Sequence, residues 1–185
     1  VTEYGEGLDV LYSFKKPSYV EVFNVAMLKT ARYSFVGPLR VGAILAGAGD
    51  SALKNLEIYA QKLGIAFQLM DDMLGVFGDE QLSGKSSMDD MLEGKNTVLI
   101  HKARQLAGSA DFKKLDSFWG NPKSGIKEAK IVAEIIERSG ALAWSREKMG
   151  KLVEDAKGSV SKITKDVILS NLLLQNADFV IKRTK

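Results

Sequence analysis

Between Leu63 and Phe77 the chain reads Leu-Gly-Ile-Ala-Phe-Gln-Leu-Met-Asp-Asp-Met-Leu-Gly-Val-Phe, in which the only polar side chains are Gln68, Asp71 and Asp72. A stretch apolar on almost every side reads as a helix buried all round, the heart of a helix predicted over 51–78. The three polar residues fall at i, i+3 and i+4, so they share one narrow stripe of that cylinder. Two adjacent carboxylates in a low-dielectric interior cannot both stay ionised without compensation. Either one takes up a proton, or the stripe faces a space that holds cations. A surface helix with an incidental acidic pair is the competing explanation, and the apolar flanks argue against it.

The remaining 157 residues must bury that helix, and a chain of 185 residues suffices for one sizeable core. A single domain spanning 1–185 is expected. Three prolines and 45% hydrophobic residues describe a globular chain rich in helix. The absence of cysteine excludes disulfides, zinc thiolates and iron–sulfur clusters, and suits a cytoplasmic setting. No apolar run reaches membrane-spanning length, and the first residues lack a leader pattern. The net charge of +3 conceals an asymmetry: residues 1–93 carry a net −5 and residues 94–185 a net +8. An acidic half can gather metal; a basic half can meet phosphates, an acidic partner or only water. The chain starts at Val1 rather than at methionine, so it is expected to be a piece of something longer.

In chain order, a helix ends before Lys15-Lys16-Pro17, and Ser18 with Glu21 forms a capping box for the next, over 19–36. Gly37-Pro38 is expected to break or kink that helix. A small apolar helix over 39–46 follows, and Ser51 is expected to cap the central one. Residues 79–96 are polar, and at that length suggest a mobile functional loop. Helices are predicted again over 97–107, 111–119, 125–138, 140–157 and 163–183. No alternating, β-branched run argues for a strand, so the fold class is all-α. There is no solenoid period. One short echo occurs, Asp71-Asp-Met-Leu-Gly75 against Asp89-Asp-Met-Leu-Glu93, but the second copy lacks the apolar wrapping and reads as coincidence.

Oxygen donors without histidine or cysteine favour a hard cation such as Mg2+, which keeps waters and shares phosphate oxygens. Two carboxylates are too few for a closed cage, so a substrate's phosphates would complete the shell. Lys29 in its apolar helix, and Lys85 and Lys95, each after a glycine, are candidates to hold those phosphates as point charges. The bland alternatives are a snorkelling Lys29 and solvated loop lysines. Lone His101 opens an ordinary helix and reads as a satisfied surface histidine rather than a ligand.

Taken together, Phe67-Gln-x-x-Asp71-Asp72, Phe77-Gly-Asp79, Gly84-Lys85 and Glu93-Gly-Lys95-x-Thr97 resemble the second aspartate-rich region of trans-isoprenyl diphosphate synthases, the polyprenyl synthetase family. Lys29-Thr30-Ala31-x-Tyr33-Ser34-Phe35 is similar to that family's Lys-Thr motif, in a form close to farnesyl diphosphate synthases. Gly5-Glu6-x-x-Asp9 is similar to an upstream Gly-Gln-x-x-Asp element, with Glu6 where glutamine is usual. The basic C-terminus from Ala177 matches as well. The resemblance implies a helical bundle around a central cavity, usually a homodimer. It also implies head-to-tail condensation of isopentenyl diphosphate with an allylic diphosphate. By position, Asp71 would bind Mg2+, Asp72 would act mainly through water, and Asp9 is a weaker metal candidate. Lys29, Lys85 and Lys95 would hold diphosphate, while Thr30 and Gln68 would line the site near the developing allylic cation.

Two departures stand out. The residue after Asp71-Asp72-x-x is usually aspartate and here is Gly75, a loss expected to weaken the outer metal shell, by about 10–100-fold if it behaves as other outer-shell losses do. The first aspartate-rich motif, its arginines and the isopentenyl diphosphate pocket do not occur in these residues, so the N-terminal helices of such a bundle are expected to be missing. These 185 residues alone are therefore expected to have no turnover. A non-catalytic regulatory subunit of a heterodimeric synthase is the alternative, for which Gly75 would be tolerable. A nucleic-acid partner is not expected, because the lysines of the basic half are spread over several helices without interleaved aromatics.

Overall fold

The computed structural model describes residues 1–78 and 88–182, and all regular structure among them is helical. Helix α1 (Thr2–Ser13) leads to α2 (Tyr19–Ala26), which opens on the expected capping box. The Ser18 N–H donates to the Glu21 carboxylate at 2.7 Å, and the Glu21 N–H donates to Ser18 Oγ at 3.4 Å. Those bonds hold the Glu21 carboxyl below its ordinary value.

The break expected at Gly37-Pro38 does not occur. Helix α2 passes without a gap into a π-helix (Met27–Val36), which continues as α3 (Gly37–Leu45). The Gly37 N–H donates to the Arg32 carbonyl, five residues back, so the chain is still in the wide π turn where proline arrives. Pro38 then occupies the first turn of α3, the part of a helix where a missing N–H costs least.

Helix α4 (Asp50–Phe77) is the long central helix, beginning one residue earlier than expected. Leu53 N–H donates to the Gly49 carbonyl at 3.1 Å, so Ser51 lies inside the first turn and does not cap it. The polar stretch after α4 holds a one-turn helix, α5 (Asp89–Leu92), where the sequence suggested only loop. Helices α6 (Val98–Leu106), α7 (Ser109–Phe118), α8 (Ile126–Arg138), α9 (Ala141–Ile163) and α10 (Val167–Lys182) complete the chain. Helix α9 runs past its predicted end through Gly158. A glycine costs a helix only about 1 kcal/mol, and Val153, Ala156 and Val160 keep a buried face across it.

The chain divides into two compact units. The first takes Val1–Gly5, Asn24–Met70 and the stretch from Lys148 onward. Tyr59, Ala60, Leu63, Ala66 and Leu69 of α4 are buried there, as are Ala31, Val153 and Ala177. The Tyr59 hydroxyl donates to the Leu173 carbonyl at 2.5 Å, and burial pushes its phenol above the ordinary range. The second unit takes Glu6–Phe23 and Asp71–Glu147, with Met91, Leu99, Ile100, Leu115, Ile135 and Ile136 buried. Helix α4 therefore contributes its first twenty-one residues to one unit and Asp71–Phe77 to the other.

Candidate functional site

In the first unit, Lys29 and Thr30 stand on the π-helix, and two glycines let other helices reach its backbone. A Cβ on Gly5 would lie 2.6 Å from Lys29 N, and one on Gly64 would collide with Ala31 Cα and Cβ. Both positions must stay bare for the segment to sit where it does. So held, Thr30 is only 8% exposed, and its hydroxyl donates to Gln68 Oε1 on α4. The rings of Phe35 and Phe67 meet edge to face with centroids 5.4 Å apart. Two of the predicted polar residues are thus brought into contact across 38 positions of sequence, and Lys29 lies half-buried beside them in the chain.

In the second unit the acidic pair separates. Asp71 is half-buried, whereas Asp72 is 4% exposed and its Oδ2 accepts the Val98 N–H at 3.3 Å. Thr97 Oγ1 accepts the Ile100 N–H, also at 3.3 Å. The start of α6 therefore has two side-chain acceptors for its otherwise unpaired donors, one of them a carboxylate at the positive end of the helix dipole. Gln68, Asp71 and Asp72 all lie on α4 at the i, i+3 and i+4 spacing, and Asp72 has a backbone partner as well. Neither the Thr97 cap nor the reach of Asp72 across 26 residues was read from the sequence, which placed Thr97 inside the helix.

Lys95 follows α5, and its Nζ lies 2.6 Å from Asp90 Oδ1 and 3.0 Å from Glu93 Oε2. Burial pulls this ammonium down, but the hydrogen bonds to Asp90 and Glu93 outweigh it, and Lys95 titrates above the ordinary lysine value. Trp119 Nε1–H donates to the Lys95 carbonyl at 2.9 Å. The other oxygen of Asp90 lies against Gly75: a Cβ there would collide with Oδ2 and stand 3.3 Å from Cγ. The second copy of the Asp-Asp-Met-Leu echo thus touches the fifth position of the first. Sequence reading missed Asp90; its signal was that echo.

Of the other candidates, Asp9 lies half-buried on α1. Lys85 lies outside the described residues. His101 packs on Tyr19 with ring centroids 5.9 Å apart, and burial followed by Arg104 and Lys102 lowers its pKa. Among the described residues, no group of three or more histidine, cysteine or acidic side chains is placed to hold a metal by itself. Carboxylate oxygens such as Asp71 suit a hard cation whose remaining ligands come from phosphate and water. The donor set fits Mg2+ on those terms.

The Polyprenyl synthetase family model matches residues 1–136. The chain belongs to that family. It is 34% identical to the geranylfarnesyl diphosphate synthase of Aeropyrum pernix, across 98% of this chain and 56% of that protein. It is 30% identical to the geranylgeranyl diphosphate synthase of Sulfolobus acidocaldarius, across 99% and 53%. The chain thus spans about half the length of the curated relatives it matches. Among solved structures, a geranylgeranyl pyrophosphate synthase from Corynebacterium glutamicum, complexed with isoprenyl diphosphate and magnesium, superposes with a TM-score of 0.92. That match has 30% identity and covers 98% of this chain and 52% of that one. The all-α isoprenoid synthase fold expected from the sequence is therefore the fold observed. Within the matched residues the chain carries Lys29-Thr30 and Phe67-Gln-x-x-Asp71-Asp72, with Gly75 three residues further on.

Proposed function

We propose that this protein is a trans-prenyltransferase that condenses isopentenyl diphosphate with an allylic diphosphate, giving a longer polyprenyl diphosphate and pyrophosphate. The observation that carries this reading is the 34% identity to a geranylfarnesyl diphosphate synthase across 98% of this chain. The Thr30–Gln68 hydrogen bond supports it, because both partners belong to motifs of the family.

In this reading Lys29, Lys85 and Lys95 hold diphosphate oxygens as point charges, which favours departure of pyrophosphate from the allylic carbon. Asp71 supplies carboxylate oxygen to Mg2+, with Asp72 and Asp9 in supporting places. When bound, the metal adds positive charge against the leaving phosphates. Thr30 and Gln68 hold each other in one orientation and present oxygen dipoles to the allylic cation left behind. The isopentenyl alkene attacks that cation, and proton loss completes the new allylic diphosphate. The reading includes a cytoplasmic homodimer, for which light scattering of the purified protein is the measurement. No helix among the described residues is long and apolar enough to cross a membrane.

The test is a product assay on protein made from its full coding sequence, with isopentenyl diphosphate, Mg2+ and allylic primers of several lengths. Chain elongation with at least one primer is expected. Asp71→Ala is expected to abolish it while leaving the fold intact, and an active Asp71→Ala protein would remove the metal role assigned to that residue.

A further inference from the structure

We infer that Gly75 is a positioning residue for Lys95, acting through Asp90. This role rests on the proposed contact of Lys95 with diphosphate. A carboxylate is planar and rigid, so its two oxygens move together. In Asp90, Oδ2 sits in the space left by the missing side chain at position 75, while Oδ1 holds Lys95 Nζ at 2.6 Å. Filling the space at 75 turns Asp90, and turning Asp90 releases Lys95.

The surrounding backbone leaves little other way to absorb a side chain there. Met91, next to Asp90, is only 2% exposed, and its carbonyl accepts the Gly120 N–H at 2.7 Å. The Lys95 N–H donates to the Asp90 carbonyl at 3.1 Å, closing the turn between them. Gly94 in that turn has φ +68°, a conformation that side-chain-bearing residues rarely adopt. What a Cβ at 75 meets is the end of the Asp90 side chain and not backbone, so the displacement falls on the carboxylate rather than on the helix. Glu93, at 3.0 Å, is the more exposed of the two carboxylates on Lys95, with 59% of its side chain accessible against 23% for Asp90. Asp90 is the better-anchored partner.

Restoring the family's usual aspartate at 75 is then not a repair. It would press a further carboxylate onto Asp90 and compete for the same ammonium. The experiment uses protein from the full coding sequence, with Gly75→Ala, Gly75→Asp, Asp90→Ala and the Gly75→Ala/Asp90→Ala double variant. Because Lys95 in the proposed reaction also favours departure of pyrophosphate, Gly75→Ala is expected to lower kcat as well as to raise KM for the allylic diphosphate, the KM about three- to tenfold, an effect within the range of couplings between touching residues. Gly75→Asp is expected to raise it at least as much. The double variant should be no worse than Asp90→Ala alone.

A Gly75→Asp protein that outperforms the parent would overturn the inference. So would a Gly75→Ala effect that persists undiminished in the Asp90→Ala background. An inactive parent protein would count against the proposed prenyl transfer instead. The same cycle is then read from calorimetric binding of inorganic pyrophosphate with magnesium chloride, where additive effects, or no binding at all, overturn the role of Gly75.

Discussion

Asp71 and Asp72 are neighbours in sequence with separate consequences when removed. Asp72→Ala takes the acceptor from the buried Val98 N–H, and it should lower stability by about 1–3 kcal/mol in chemical denaturation. Asp72→Asn keeps an acceptor oxygen and loses the charge at the start of α6, about 0.3–1 kcal/mol. Thr30→Val should cost about 1 kcal/mol for its single hydrogen bond, and its effect on turnover should not add to that of Gln68→Met, since each removes the same bond. His101 is the only histidine in the chain, and its pKa is lowered by burial and then by Arg104 and Lys102. The unfolded chain then binds more protons near neutrality than the folded one, so this histidine's share of stability is present above about pH 6.5 and is lost as the pH falls below it. Thermal midpoints should decline from pH 7.5 to 5.5, and His101→Gln should flatten that slope. At this scale residue types were legible from spacing, but partners were not: nothing local tells Asp72 to seek an amide 26 residues away.

Helical elements were read from the sequence well where apolar periodicity governs them, and poorly where packing does. The capping box at Ser18 and the long central helix follow from local pattern. The π-helix does not, because its wide turns depend on Gly5 and Gly64 admitting other backbones to Lys29 and Ala31. Seen as letters, Pro38 signals a break and Gly64 a weak point in a helix. Two alanine substitutions separate these effects. Gly158→Ala in α9, with nothing within 4 Å of the added carbon, should stabilise by roughly 0.5–1 kcal/mol. Gly64→Ala gains the same propensity but drives a methyl into Ala31, and should destabilise by about 1–3 kcal/mol. Denaturant midpoints of the two variants should therefore move in opposite directions.

For the whole molecule, fold and family were legible because several motifs recur in order, and each demands a helix around it. The site was less legible, since spacing reveals which residue types are available but not how their charges are already engaged. Lys95 reads as an open phosphate clamp in sequence and stands between two carboxylates in the structure. Chelation of divalent metal is expected to stop prenyl transfer by the full-length protein, and added Mg2+ to restore it, as followed by release of pyrophosphate.

The unbroken run from Tyr19 to Leu45 makes chain length at this point a kind of setting. Each π turn consumes about one residue more than an α turn, so α3 emerges roughly two residues out of phase with the helix that began it. Deleting one residue between Met27 and Val36 would let a π turn tighten to α and leave the facing of α3 nearly unchanged, whereas a deletion within an α-helical stretch rotates everything after it by about 100°. Arg40, 2.8 Å from Glu57, would keep its partner through such a deletion. In this segment the number of residues can change where the facing of the helix after it does not.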